Sequence, residues 1–311
     1  MRHAHRMDEL RASCAEVARR ARSVRIEEAR VGPYSRALDL RALGSVADEA
    51  APGWSRRERA AYWLSLDAIN FGSGWFPTLR KSGSPPRSGY GTISAAWRMH
   101  CERSSPPTAA QLSAIESAAL AGILSQDPAH ELMELFALSL RDLGSRLLTD
   151  CGADPLALVA DADGSAVALA VRLGGWPCFA DRSRYEELSV PFLKRAQIAA
   201  ADLQRAGAAQ WRDTARLTIF ADNLVPHVLR LDGVLAFDPG LITRIEAGEL
   251  IEHGSPEEVE IRACAVHAVE LIVAARGGDI TAADVDQLLW HRGQEPVYKR
   301  RPRHRSRCTA Y

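Results

Sequence analysis

Apolar residues recur at helical spacing through most of this chain, with Ala and Leu dominating, while alternating runs of β-branched residues are scarce. That periodicity predicts an all-α, multi-helix globular fold. The clearest helix opens at Ser255-Pro256-Glu257-Glu258, which supplies a serine cap, a proline at the first helical position and Glu258 placed to close a capping box. It is expected to run to Gly277-Gly278. Thr108 with Gln111 and Thr281 with Asp284 repeat the capping-box spacing, and residues 192–207 read as a further helix. The stretch from Gly72 to Gly91, rich in Gly, Ser and Pro, reads as a loop long enough to be functional. Two stretches are ambiguous. Leu156 to Leu173 is either a hairpin turning at Asp163-Gly164 or two helices, with helix favoured. Leu217 to Phe220 is helix or strand, and in both cases it delivers Asp222 at the end of an apolar element.

The 311 residues are 47% hydrophobic, enough to bury a substantial core. No repeat and no strongly polar linker interrupts them, so a single domain over residues 1–311 is expected. Basic and acidic residues number 39 each, so there is no global field to hold a polyanion, and a stable nucleic-acid partner is not expected. No run of about 18 apolar residues is present, and Met1 to Arg6 lack the apolar segment of a signal peptide. The expected setting is therefore cytoplasmic and off the membrane. The cysteines at 14, 101, 151, 178, 264 and 308 form no CxxC and read as buried free thiols rather than a zinc site or disulfide framework.

Chemistry could sit at several places. Asp222, between an apolar run and Pro226, suits a pocket floor where a carboxyl group is tuned, but also suits a helix cap, the stronger reading from local sequence. Of the 39 basic residues only Lys81, Lys194 and Lys299 are lysines. Lys194 lies inside a helix, where a compact ammonium rather than a planar fork is signalled, against chance retention. Lys81 and Lys299 lie beside arginines and read as surface. Asp67 and Asn70 share a helix face, as do Asp286 and Trp290, the latter an acid with an aromatic such as a base site uses. The commoner arrangement is a core tryptophan beside a surface acid. Glu258 and Arg262 are ordered as an exposed i to i+4 pair. Glu270 either faces water or is buried against a partner such as Arg262.

The tail from Lys299 to Tyr311 carries six positive charges and no acid, leaving the rest at minus six. That asymmetry permits a disordered nucleic-acid arm, or an ordered tail docked through its arginines and terminal aromatic, with one or two cations open to a phosphate.

Taken in order, Leu66-Asp-Ala-Ile-Asn-Phe71, Ser88-Gly-Tyr90, Leu193 to Ile198 with Ala201-Asp202, Phe220-Ala-Asp222 with Pro226, Glu258 to Arg262 with Val269 to Ile272, Leu289-Trp290, and His304-Arg305 with Arg307-Cys308 and Tyr311 resemble the queuosine salvage protein family. The family's members are queuosine 5'-phosphate N-glycosylase/hydrolases. The resemblance implies a helical fold related to helix-hairpin-helix DNA glycosylases, no metal or organic cofactor, and cleavage of queuosine 5'-monophosphate to queuine and ribose 5-phosphate. Carried over residue by residue, it places Phe220, Asp222 and Asp286 in the nucleotide pocket, adds Phe71 and Arg262 to the substrate-binding set, and puts Glu295 where the family has an aspartate. The sequence departs from the family pattern at Gly72 to Pro77 and at His291.

Breaking a C1'–N bond passes through an oxocarbenium-like state that a carboxylate can stabilise or attack. On the resemblance, Asp222 takes that role, Asp286 or Glu295 reads the donor edge of the base, and Phe220 or Trp290 stacks on it. Lys194 and a tail arginine are candidates for the 5'-phosphate, with Lys194 alternatively orienting Asp222. The implied enzyme is a monomer. The alternatives are a glycosylase or binding module acting on tRNA or DNA, and a queuine carrier.

Overall fold

A computed structural model describes residues 4–43 and 53–311, so Met1 to His3 of the N-terminal segment read above lie outside the described residues. The described residues form fifteen α-helices and two antiparallel two-stranded sheets. None of these helices is long and apolar enough to cross a membrane. Among the same residues no three His, Cys, Asp or Glu are grouped to hold a metal ion. The chain divides into two compact units, each threaded by three segments: 1–47, 182–194 and 214–307 in the first, and 48–181, 195–213 and 308–311 in the second.

The first unit is built on the helix Pro256–Ala275, which packs against Ala4–Arg20 and Glu28–Ala37. Nine successive residues, Glu258 to Val266, are buried, so over more than two turns this helix has no solvent face. Its buried charges are satisfied in place. Glu260 Oε2 accepts the backbone N–H groups of Arg22, Ser23 and Val24 at 3.1, 2.6 and 3.2 Å, and Oε1 accepts the Tyr185 hydroxyl at 2.9 Å. This carboxylate thereby sets the entry to the strand Val24–Ile26, which pairs with Leu235–Phe237, while Tyr185 ends the strand Arg182–Tyr185 that pairs with Leu188–Pro191. These strands depart from the all-α expectation. At three or four residues each they are too short to show a period of two in sequence.

Ser255 caps the central helix as expected, but Glu258 does not return to the Ser255 amide. Its carboxylate accepts Gly254 N–H at 3.0 Å and faces Arg262 and His253, each at 3.4 Å. The helix ends at Ala275, followed by Gly277 and Gly278 at φ 76° and 90°. The capping boxes at Thr108 and Thr281 both form.

Two buried histidines of this unit give it an acid sensitivity. Burial pushes His304 down to about 3 and His227 to about 4, from an ordinary 6.5. Both are therefore neutral when folded and bind protons first in the unfolded chain, so their stabilisation is complete above pH 6.5 and is lost as pH falls towards the folded values. Stability is expected to drop by on the order of a few kcal/mol between pH 6.5 and 4.5 in urea titrations. Glu258, held at about 2 because Arg262 and His253 outweigh its burial, adds to the loss only below 4.5. His227→Gln should flatten the upper part of the curve; equal stability at pH 7 and 4.5 in the unmodified protein would refute the account.

The second unit is centred on Glu131–Cys151, against which Arg56–Ala68, Ala109–Ser113, Ser117–Leu124 and Pro155–Asp161 pack. A Cβ on Gly144 would lie 2.3 Å from Ser113 N, so glycine here lets Ala109–Ser113 close onto the long helix. Leu156 to Leu173 forms the two helices favoured from sequence, Pro155–Asp161 and Ala166–Leu173, joined by a turn with Asp163 and Gly164 at φ 47° and 65°. Residues 72–88 form an irregular loop with one 3-10 turn at Phe76–Thr78, and the next helix starts at Gly89. The expected helix at 192–207 spans Lys194–Arg205. All six cysteines are free and buried.

Candidate active site

Leu217 to Phe220 adopts neither helix nor strand, and the irregular path continues through Asn223. Instead of its own ladder, each residue from 220 to 223 is held from a different element of the first unit. Phe220 N–H donates to Asp286 Oδ1 at 2.9 Å, from the helix Ala282–Arg292. The Ala221 carbonyl accepts Arg262 Nε–H at 2.9 Å, from the central helix. Asp222 Oδ1 accepts the N–H groups of Leu224 at 2.7 Å and Val225 at 3.2 Å, which start the helix Leu224–Leu231. Asn223 Nδ2 donates to the His304 carbonyl at 3.0 Å, in the tail. Four consecutive anchors leave the loop little freedom, so the direction of the Asp222 side chain is set before any ligand arrives.

Asp222 thus caps a helix, one residue ahead of the formal N-cap Asn223, whose own side chain makes no cap bond. Only one carboxylate oxygen is used. Asp222 is half-buried, and among the described residues Oδ2 takes no hydrogen bond. A carboxylate with one oxygen tied and the other open presents fixed negative charge to whatever enters beside it.

Arg262 holds this loop from below. It is fully buried, its guanidinium lies 3.9 Å from the Phe192 ring centroid, and Nη1 faces Glu258 at 3.4 Å. The exposed i to i+4 pair expected from sequence is thereby corrected: both partners have 0% side-chain exposure, because residues 258–266 of their helix have no solvent face. Glu270 does not pair with Arg262 either. Its Oε2 meets Arg11 Nε at 2.9 Å near the surface.

Asp286 and Trp290 share a helix face but reverse the commoner arrangement. The acid is 6% exposed and the tryptophan 39%. Glu295 is exposed and precedes the short helix Pro296–Lys299 without a side-chain cap bond. Lys194, the last residue of its first-unit segment, opens the helix Lys194–Arg205 at 4% exposure, whereas Lys81 and Lys299 are exposed. The solitary internal lysine is therefore not a surface survivor. Phe71 belongs to the second unit, where it is buried edge-on to Phe136 with ring centroids 4.9 Å apart and has the Arg195 guanidinium 4.9 Å from its own. Asp67 is also buried in that unit. The loop thus gathers Phe220, Asp222, Asp286 and Arg262, with Trp290 one helical turn from Asp286.

From sequence Asn223 carries no role, and His304, the tail residue it grips, enters only as part of a family motif. The tail is docked rather than a disordered arm. Ile251 N–H donates to the Arg305 carbonyl at 2.9 Å, the Ser306 hydroxyl to the Ile251 carbonyl at 2.6 Å, and Arg230 to the Pro302 carbonyl at 3.2 Å. In the second unit Gly72 N–H donates to the Tyr311 carbonyl at 3.0 Å, and Cys308, Ala310 and Tyr311 are buried. The signal that could have found these contacts was the alternation of basic with small or aromatic residues in the tail. Charge counting hides it.

The queuosine salvage protein family profile matches residues 51–311. A queuosine 5'-phosphate N-glycosylase/hydrolase of Sphaerobacter thermophilus is 34% identical over 307 residues, 95% of each chain. The mouse protein of the same name is 30% identical over 290 residues, covering 85% of this chain and 83% of its own, and that of Bos taurus is 30% identical over 288 residues.

Proposed function

The chain belongs to the queuosine salvage protein family, and on that premise we propose that it hydrolyses the N-glycosidic bond of queuosine 5'-monophosphate, releasing queuine and ribose 5-phosphate. The observation that carries the chemistry is the Asp222 carboxylate, with Oδ1 tied to two backbone amides and Oδ2 open on a loop anchored at four successive residues. Such a group stabilises positive charge developing at C1' as the bond to the base lengthens, with no reorganisation at the moment of reaction. Asp286, buried one turn from Trp290, is the group proposed to read the base, with Phe220 or Trp290 stacking on it and Glu295 as a second acid at the rim. Lys194 is proposed to serve Asp222 or the phosphate. Arg262 enters through the Ala221 carbonyl it holds, and Phe71 on the family resemblance alone.

The two units act as one hydrolase domain, in keeping with similarity to a relative over 95% of both chains. The scaffold is related to helix-hairpin-helix DNA glycosylases, the working form is a monomer, and the compartment is the cytoplasm.

Incubating the protein with queuosine 5'-monophosphate should yield queuine and ribose 5-phosphate in equal amounts over many turnovers, read by chromatography. Strong preference for intact modified tRNA would replace this reading with a polymer-directed glycosylase. Stoichiometric queuine binding with no sugar phosphate formed would replace it with a carrier.

A further inference from the structure

Arg303 stands out among the tail cations. Its neighbours on either side are pinned, the Pro302 carbonyl by Arg230 and the His304 carbonyl by Asn223, so its backbone runs beside the Asp222 loop at a fixed register. The side chain is half-buried, yet among the described residues it makes no hydrogen bond and no ion pair, while Arg301 and Arg305 are held by Glu246 and the Gly248 carbonyl. Burial pushes its guanidinium pKa down, opposed by the charge of Asp222, with Arg305 adding a like charge. A partly desolvated guanidinium without a counter-ion is costly and selects an anion, for which its planar fork suits a phosphate.

From this geometry we propose that Arg303 binds the 5'-phosphate of the nucleotide whose C1' faces Asp222. The inference rests on the reading above. Arg303 and Asp222 are close enough to sense each other's charge but do not form an ion pair. Separation of that kind is what one ribose demands, since its C1' and 5'-phosphate lie at opposite ends of the sugar and need groups of opposite sign that do not neutralise one another. The carboxylate then keeps its open oxygen for the developing cation, and the phosphate supplies the hydrogen-bonded partner that Arg303 does not find among the described residues.

Arg303→Gln and Arg303→Lys separate this from other roles. The ratio of kcat/KM for queuosine 5'-monophosphate over that for the nucleoside queuosine should fall by about ten- to a hundredfold in Arg303→Gln, the factor for one charge-assisted bond, and less in Arg303→Lys. Independently of turnover, calorimetry with ribose 5-phosphate and with inorganic phosphate should show binding by the unmodified protein that Arg303→Gln loses and Arg303→Lys partly keeps. An unchanged preference ratio, or undiminished ribose 5-phosphate binding by a folded Arg303→Gln, would overturn the assignment. If the unmodified protein released no queuine, the hydrolase reading would fail while the calorimetry still decided whether Arg303 is a phosphate ligand.

Discussion

Asp222→Asn is expected to lower queuine release by about 10²–10³-fold while leaving the unfolding midpoint in urea close to that of the unmodified protein. The two halves of this result come from the two oxygens. Asparagine keeps a side-chain carbonyl where Oδ1 accepts the Leu224 and Val225 amides, and it caps helices about as well as aspartate. It removes the negative charge at the open position, which is the part the reaction uses. Asp222→Ala removes both, so it should match the Asn variant in rate and lose a further ~0.5–2 kcal/mol of stability as the cap goes. Near-normal turnover by a folded Asp222→Asn would remove Asp222 from the mechanism. Equal stability of the Ala and Asn variants would show that the cap bonds contribute nothing.

Arg262→Met should destabilise the first unit by about 3–5 kcal/mol. Methionine fills much of the same volume but leaves Glu258 charged and fully buried with only His253 and the Gly254 amide for company. It also leaves the Ala221 carbonyl without its donor and the Phe192 ring without its cation. Arg262→Lys is no remedy, because an ammonium cannot lie flat on Phe192 while an Nε–H reaches Ala221. Adding Glu258→Gln to Arg262→Met should recover part of the loss by removing the orphaned charge. Urea unfolding of the three variants checks this, and an Arg262→Lys protein with unaltered stability and queuine release would contradict the clamp.

Arg262 also shows why the site was only partly legible in sequence. A glutamate and an arginine four residues apart look the same whether the helix lies on the surface or runs through the middle of the protein. Only the packing of Ala4–Arg20 and Glu28–Ala37 over Pro256–Ala275 decides that both are buried. Asp286 and Trp290 make the same point in reverse, since hydropathy alone places the tryptophan inside and the acid outside, opposite to their exposures. Lys194 stands out in sequence for a compositional reason, its rarity in an arginine-rich chain, and the fold buries it.

Local chemistry along the chain determined the helical class, the capping boxes at Thr108 and Thr281, the helix from Pro256 to the paired glycines and the split of residues 156–173 into two helices. Each depends on residues within a few positions of one another, where backbone sterics and capping hydrogen bonds act. Ordered motifs spread from Leu66 to Tyr311 carried the family. What only tertiary structure decided is how Asp222 is held: partners at positions 262, 286 and 304 converge on three neighbouring residues of the same loop. No local interaction encodes that convergence. It follows from burying one central helix on all sides, which brings distant polar groups together and obliges each to find a partner out of water.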